Sequence, residues 1–317
     1  MKIVLTEPLG ISPELSEKYA RELRALGHRF MACPHRPESL AELCSLVEDA
    51  DAVMLANMPF PGEAVRAGKS LRYIDVAFTG VDHVDLAACR ERGVAVSNAS
   101  GYSDTAVAEL AFGLMLGLSR RLLSCDRAVR SGGTREGLIG TELWGKTLGV
   151  VGTGRIGGQV IAIALAFGMR VLAHSRTVKP ELEARGVNFV PLAQLMEQSD
   201  IVTLHIPQNA ETTGLISRAL LERMKPNALL INTARGPVVD NTALADLLRE
   251  GRIAGAGIDV FQQEPPIPQD HPLLTAPNTL LAPHVAFATQ EALERRAAIV
   301  FDNMKSWLNG TVKNQVC

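Results

Sequence analysis

A strand–glycine–helix junction near the middle of the chain constrains the fold most. Lys146, Thr147 and Leu148 run into Gly149, Val150 and Val151 as a short apolar strand. Gly152, Thr153, Gly154, Arg155, Ile156 and Gly157 follow in the spacing Gly-x-Gly-x-x-Gly, and Gln159 to Phe167 is apolar and helix-forming. Read alone, the spacing fits any glycine-rich turn. Between a strand and a helix it suits a dinucleotide pyrophosphate. Gly152 makes the tight turn, Gly154 lets the backbone approach the phosphates, and Gly157 allows close helix–strand packing. The helix start presents free N–H groups to the anion. The motif begins only at Gly152 of 317 residues, so a further domain fits ahead of it.

Composition narrows the function classes. Hydrophobic residues make up 47%, enough for sizeable cores. Lys plus Arg number 32 against 34 Asp plus Glu, a formal charge of −2, and no basic block stands out. Nucleic acid and membrane are therefore not expected as partners. Met1 to Pro8 reads as a strand and a turn rather than a signal peptide. Apolar runs such as Val160 to Met169 are too short to span a bilayer. Cysteines at 33, 44, 89, 125 and 317 form no Cys-x-x-Cys pair. Reduced thiols, a cytoplasmic location and no metal site are expected.

Strands and helices alternate along the whole chain. Strands are expected at 3–5, 28–32, 52–56, 71–78 and 94–97, with helices at 13–26 and 40–47. Ser103 is placed to cap one long helix through Leu123, and 127–142 reads as a surface connection. Strands resume at 148–152, 170–174, 187–190, 200–206, 228–232, 255–260 and 279–282. A six-stranded doubly wound sheet is expected to be complete before a last amphipathic helix at 289–308. That helix is free to return to the first domain. The fold class is α/β, with two Rossmann-like or flavodoxin-like doubly wound parallel-sheet domains and a cleft between them. Residues 1–99 with 288–317 would form the substrate domain, and 100–287 the dinucleotide-binding domain. Hinges are expected near Asn98–Gly101 and Ala286–Ala288.

The second strand after the glycines runs from Arg170 to Thr177 and carries no Asp or Glu. A carboxylate there would bind an adenosine ribose and repel a 2′-phosphate. Ser175 and Arg176 stand in its place, and both can hydrogen-bond a phosphate. NADP is favoured as cofactor, with NAD the alternative.

Three later segments end strands with polar groups. Asn232, Thr233, Ala234, Arg235 and Gly236 follow an apolar strand. Asp259, Val260 and Phe261 lead to Glu264 and Pro265. Pro283 and His284 follow a third strand. Singly, each polar residue fits a structural or solvated role equally well. Jointly, beside the glycine motif, they resemble the D-isomer-specific 2-hydroxyacid dehydrogenases. Thr79, Gly80, Val81 and Asp82, and Val107, Ala108, Glu109 and Leu110, extend the resemblance over essentially the whole chain.

The resemblance implies a hydride transfer between NAD(P)H and a small 2-keto or 2-hydroxy acid. Arg235 would clamp the substrate carboxylate and polarise the carbonyl. His284 would be the acid and base, with Glu264 bonded to it so that a proton is available near neutral pH. Asp259 would meet the nicotinamide end, with Thr233 and Ala234 along the cofactor, Arg155 and Ile156 at the pyrophosphate, and His205 and Pro207 also in contact. Asn57, Thr79, Gly80 and Val81 would border the substrate. The missing acid after the second strand looks like the NADPH-using glyoxylate and hydroxypyruvate reductases of the family. Phe287 is bulky where a small residue is common. A homodimer is implied, and the apolar helix from Ser103 suggests its interface. The competing class is a nicotinamide-sensing, corepressor-like binding protein on the same scaffold.

Overall fold

The computed structural model describes residues 1–317, which divide into two compact units. One comprises Met1–Ser103 with Ala288–Cys317, the other Asp104–Phe287.

The first unit contains β1 (Lys2–Leu5), α1 (Pro13–Ala25), β2 (Arg29–Ala32), α2 (Leu40–Val47), β3 (Ala52–Leu55), α3 (Gly62–Ala67), β4 (Tyr73–Val76), α4 (Leu86–Arg92) and β5 (Ala95–Asn98). Its sheet is parallel throughout, in the order β2-β1-β3-β4-β5. Every residue of β3 and β4 is buried, as expected for a parallel sheet covered on both faces. Short polar side chains start the helices. Ser12 Oγ accepts from Leu15 N, Ser39 Oγ from Glu42 N and Asp85 Oδ1 from Ala88 N. The short helices α3 and α4 were not expected, because six or seven residues give too little periodicity to read.

The last helix, Gln290–Leu308, belongs to this unit and starts at the cap Thr289. Phe301 stacks on Tyr19 with ring centroids 4.5 Å apart, and Trp307 stacks on Tyr73 at 4.8 Å. Asn303 Nδ2 donates to Asp75 Oδ1 and to the Asn98 carbonyl, tying the helix to β4 and β5. The following segment pairs with β5, Val316 N donating to Val96 O at 2.8 Å. These contacts make the unit discontinuous in sequence.

The second unit contains α5 (Asp104–Ser119), α6 (Leu122–Arg130), β6 (Thr147–Val151), α7 (Arg155–Ala166), β7 (Arg170–His174), α8 (Pro180–Glu183), β8 (Asn188–Phe189), α9 (Leu192–Gln198), β9 (Ile201–Leu204), α10 (Arg218–Leu221), β10 (Leu229–Asn232), α11 (Asn241–Arg249), β11 (Gly255–Ile258) and β12 (Thr279–Leu281). Its parallel sheet has the order β12-β11-β10-β9-β6-β7-β8. All seven expected strands join it, one more than a six-stranded sheet holds, because β12 at the expected position 279–281 adds to the edge beside β11.

The long helix expected from Ser103 to Leu123 is also corrected. It ends at Ser119, the chain turns through Arg121 at a left-handed φ of 51°, and a separate helix, α6, begins at Leu122 and runs to Arg130, into the stretch read as a connection. The apolar residues Leu122 and Leu123 suggested continuity, yet both are exposed. The apolar character of α5 is used inside its own unit, where Ala108, Ala111, Phe112, Leu114 and Met115 join Val150, Val160 and Ile161 in one core. No helix is long and apolar enough to cross a membrane.

Candidate active site

The glycine motif sits at the carboxyl end of β6, where the strand order of the second unit reverses between β6 and β9. Gly152 has φ +95°, and a Cβ there would come within 2.4 Å of the His205 carbonyl oxygen. A Cβ on Gly157 would lie 1.9 Å from the Gly152 carbonyl oxygen, so α7 packs directly on the turn. A Cβ on Gly154 would meet nothing within 4 Å, and no side chain caps α7. The helix start therefore offers uncapped N–H groups to open space, as a pyrophosphate requires. Arg155 Nε donates to Asp104 Oδ2 at 2.6 Å, which anchors its guanidinium at that helix start.

Three buried polar atoms at strand ends have no protein partner: Thr153 Oγ1 after β6, His205 Nδ1 after β9 and Thr233 Oγ1 after β10. Buried polar groups left unpaired are costly, and a bound ligand would satisfy them. Thr203 Oγ1 lies 2.9 Å from His205 Nε2, and burial pushes the imidazole pKa down to about 3, so the ring is neutral. These features fit a dinucleotide. Ser175 and Arg176 follow β7; Ser175 is half-buried, while Arg176 is exposed and 3.9 Å from Glu211. Pro207 is exposed in the loop after β9.

The loops after β10, β11 and β12 carry the three residues picked out for chemistry. Asn232, fully buried at the end of β10, accepts from Ala234 N and donates to the Arg235 carbonyl, both at 3.0 Å. That brace shapes the turn that delivers Arg235, whose Nη1 donates to Ala234 O at 2.8 Å. A Cβ on Gly236 would come within 2.1 Å of the Phe261 backbone, so glycine is what lets the two loops meet.

Glu264 and His284 are brought together from different loops. His284 Nδ1 lies 2.7 Å from Glu264 Oε1, while Glu264 Oε2 accepts from Phe261 N at 3.0 Å. The carboxylate thus fixes the ring and leaves Nε2 for proton exchange. His284 has φ +54°, an uncommon conformation for a residue with a side chain. Asp259 holds it there. Its carbonyl accepts from His284 N, and its carboxylate oxygens accept from Val285 N at 2.8 Å and Ala286 N at 2.9 Å. Burial raises the Asp259 pKa, and the two N–H groups pull it back. The edge of Phe287 rests against the His284 ring, centroids 5.8 Å apart.

Sequence reasoning missed the bracing work of Asn232, Asp104 and Asp259. Asp259 acts across 26 positions, beyond the reach of any local pattern. In the first unit, Asn57 lies after β3 and accepts from Arg36, and Thr79 offers its carbonyl to Asn98 Nδ2 at 2.8 Å. Gly80 and Val81 are half-buried in the same turn. No group of three or more His, Cys, Asp or Glu side chains could hold a metal ion.

Known proteins share this architecture. Residues 112–286 match the NAD binding domain of the D-isomer specific 2-hydroxyacid dehydrogenases. A glyoxylate reductase of Korarchaeum cryptofilum is 41% identical over 283 residues, covering 87% of this chain and 85% of that protein. A D-3-phosphoglycerate dehydrogenase of Methanocaldococcus jannaschii is 36% identical over 320 residues, all of this chain but 59% of that longer protein. An acyclic imino acid reductase solved with NADPH and D-Arg superposes with a TM-score of 0.90 at 30% identity, over 100% of both chains.

Proposed function

The chain belongs to the D-isomer specific 2-hydroxyacid dehydrogenases and is an NAD(P)-dependent enzyme of that family; within it, we propose that it reduces a small 2-keto acid to the D-2-hydroxy acid. The observation that carries this reading is the Glu264–His284 pair at 2.7 Å, in loops at the carboxyl edge of the sheet that also carries Arg235 and the glycine turn.

When bound, a reduced nicotinamide supplies the hydride. Arg235 holds the substrate carboxylate with its two-pronged guanidinium and polarises the carbonyl. His284 gives a proton from Nε2 to the oxygen that becomes the hydroxyl, and takes it back in the reverse direction. Glu264 orients the imidazole and balances the charge of its protonated form. A cation and a proton donor thus stand where an alkoxide would otherwise build up.

Gly152, Gly154, Arg155, Ile156 and Gly157 hold the pyrophosphate. Thr233, Ala234, His205, Pro207 and Asp259 line the rest of the cofactor. Ser175 and Arg176 read the 2′-phosphate, which favours NADP over NAD. Asn57, Thr79, Gly80 and Val81, after β3 and β4 of the first unit, contact the substrate. A homodimer is the assembly we favour. Leu122, Leu123, Val129, Ile139 and Trp144 are all exposed large apolar side chains within one short stretch, and they support a subunit contact there. A monomeric mass by light scattering would remove it.

The test is to follow loss of reduced nicotinamide with NADPH and with NADH against glyoxylate, hydroxypyruvate, pyruvate and a bulkier 2-keto acid. Turnover with at least one pair is expected. Tight cofactor binding without turnover of any acid would overturn the reading.

A further inference from the structure

Two loops of the second unit flank its glycine turn, because β7 and β9 lie on opposite sides of β6. Gly152 N donates to the His174 carbonyl at 2.8 Å, at the end of β7. A Cβ on Gly152 would come within 2.4 Å of the His205 carbonyl, just past β9. The loops that leave His174 and His205 meet again further out. There Arg176 Nη1 lies 3.9 Å from Glu211 Oε2. This pair therefore spans the turn that is built to cradle a dinucleotide.

The backbone around Glu211 is fixed by its own loop. Asn209 Oδ1 accepts from Glu211 N at 2.9 Å and from Thr212 N at 3.1 Å. Thr212 Oγ1 donates to the Pro207 carbonyl at 2.6 Å, and Thr213 Oγ1 to the Asn209 carbonyl at 2.8 Å. The side chains of the pair are less committed. Arg176 is 87% exposed and Glu211 77%, and an ion pair this long and this wet is weak. A ligand group can take the place of either partner at little cost. The strand β7 and the two residues after it bring no carboxylate to the adenosine ribose. Glu211 brings one to the same arginine from the loop after β9.

We propose that Glu211 is a specificity-determining residue for the cofactor, acting against Arg176. Its carboxylate accepts from the adenosine ribose hydroxyls of NAD(H), the task that no acid after β7 performs. It repels the 2′-phosphate of NADP(H) and competes with that phosphate for the guanidinium. Arg176 draws the phosphorylated cofactor, and Glu211 limits by how much. The inference rests on the reading above that Ser175 and Arg176 read the 2′-phosphate. A phosphate monoester carries about −1.5 to −2 charges at pH 7. One further negative charge at about 6 Å costs it about tenfold in affinity even in water. Exposed side chains are thus enough for a measurable effect.

The experiment measures Kd for adenosine 2′,5′-bisphosphate and for 5′-AMP by calorimetry, and kcat/KM for NADPH and NADH. It uses wild type, Glu211→Gln, Arg176→Gln and the double variant at low ionic strength. Glu211→Gln is expected to tighten the bisphosphate by about three- to tenfold and to leave 5′-AMP within about twofold. The NADPH to NADH ratio in kcat/KM rises by a similar factor. The gain shrinks in about 0.5 M salt, as it must between exposed charges. It is also smaller in the Arg176→Gln background, where no guanidinium is left to compete for. Unchanged bisphosphate binding in Glu211→Gln overturns the proposal. An equal change for both nucleotides overturns it too, because a general disturbance of the loop would give that result. Arg176→Gln keeps the parent reading separate. If that variant binds the bisphosphate as wild type does, the 2′-phosphate reading itself fails. If it loses the bisphosphate while Glu211→Gln changes nothing, only the role of Glu211 falls.

Discussion

The two parallel sheets reach their points of reversal in opposite states. In the second unit the ends of β6, β9 and β10 present glycine and three buried polar atoms without protein partners. In the first unit the ends of β1 and β3 are bonded to each other through Glu7, Arg36 and Asn57. Both sheets obey the same topological rule, so the difference lies in residue chemistry alone. An end of open backbone and unpartnered polar atoms suits a long ligand that brings its own hydrogen bonds. An end already braced suits a small ligand that needs one group read. The fold therefore says where to look, and polar satisfaction says what kind of ligand to look for.

The contrast is tested most severely by emptying the second unit of its chemistry while leaving its cradle. His284→Ala is expected to lower kcat by about 10²–10⁴ with little change in NADPH affinity, measured by steady-state kinetics and fluorescence titration. Near-normal turnover would end the acid–base assignment. The cradle itself is broken by Gly157→Ala, whose Cβ would sit 1.9 Å from the Gly152 carbonyl. Overpacking of this kind costs about 1–3 kcal/mol, and it should appear as weaker cofactor binding together with a lower melting temperature. Unchanged values for both would mean the turn is looser than its geometry indicates. A finer probe is Arg176→Gln. It removes the charge beside the expected 2′-phosphate and should cost NADPH about tenfold in kcat/KM while sparing NADH. Equal losses for the two cofactors would refute phosphate reading.

Much of this was legible beforehand because it is written locally. The strand, glycines and helix from Thr147 to Ala166 form one contiguous stretch, and the apolar strands leading to Arg235, Asp259 and His284 each carry their polar residue just past the end. What stayed hidden depends on distance. The Glu7 carboxylate meets Ala56 and Met58 across 49 and 51 positions, and no periodicity encodes that. The break at Arg121 was hidden for another reason. The apolar residues continue past it, but on a surface helix rather than in the core. Apolar content reports burial only on average.

Two buried aspartates carry the same lesson into stability. Asp259 and Asp75 are both 0% exposed. Asp259 bonds backbone N–H groups with both oxygens, whereas Asp75 Oδ1 accepts from Asn303 at 3.1 Å and its Oδ2 has no partner. Burial pushes the Asp75 pKa well above the usual carboxylate range, against the smaller pull of Asn303. The unfolded chain releases this proton near its ordinary value of about 3.9, while the folded protein keeps it to higher pH. Over that window the native state binds more protons, so this residue's contribution to stability declines as pH rises through it. Asp75→Asn keeps an oxygen for Asn303 and removes the ionisation. Between about pH 5 and pH 8 its melting temperature should fall less with rising pH than that of the wild type, by scanning calorimetry at matched ionic strength. Parallel curves would show that Asp75 is no more protonated in the folded protein than in the unfolded chain.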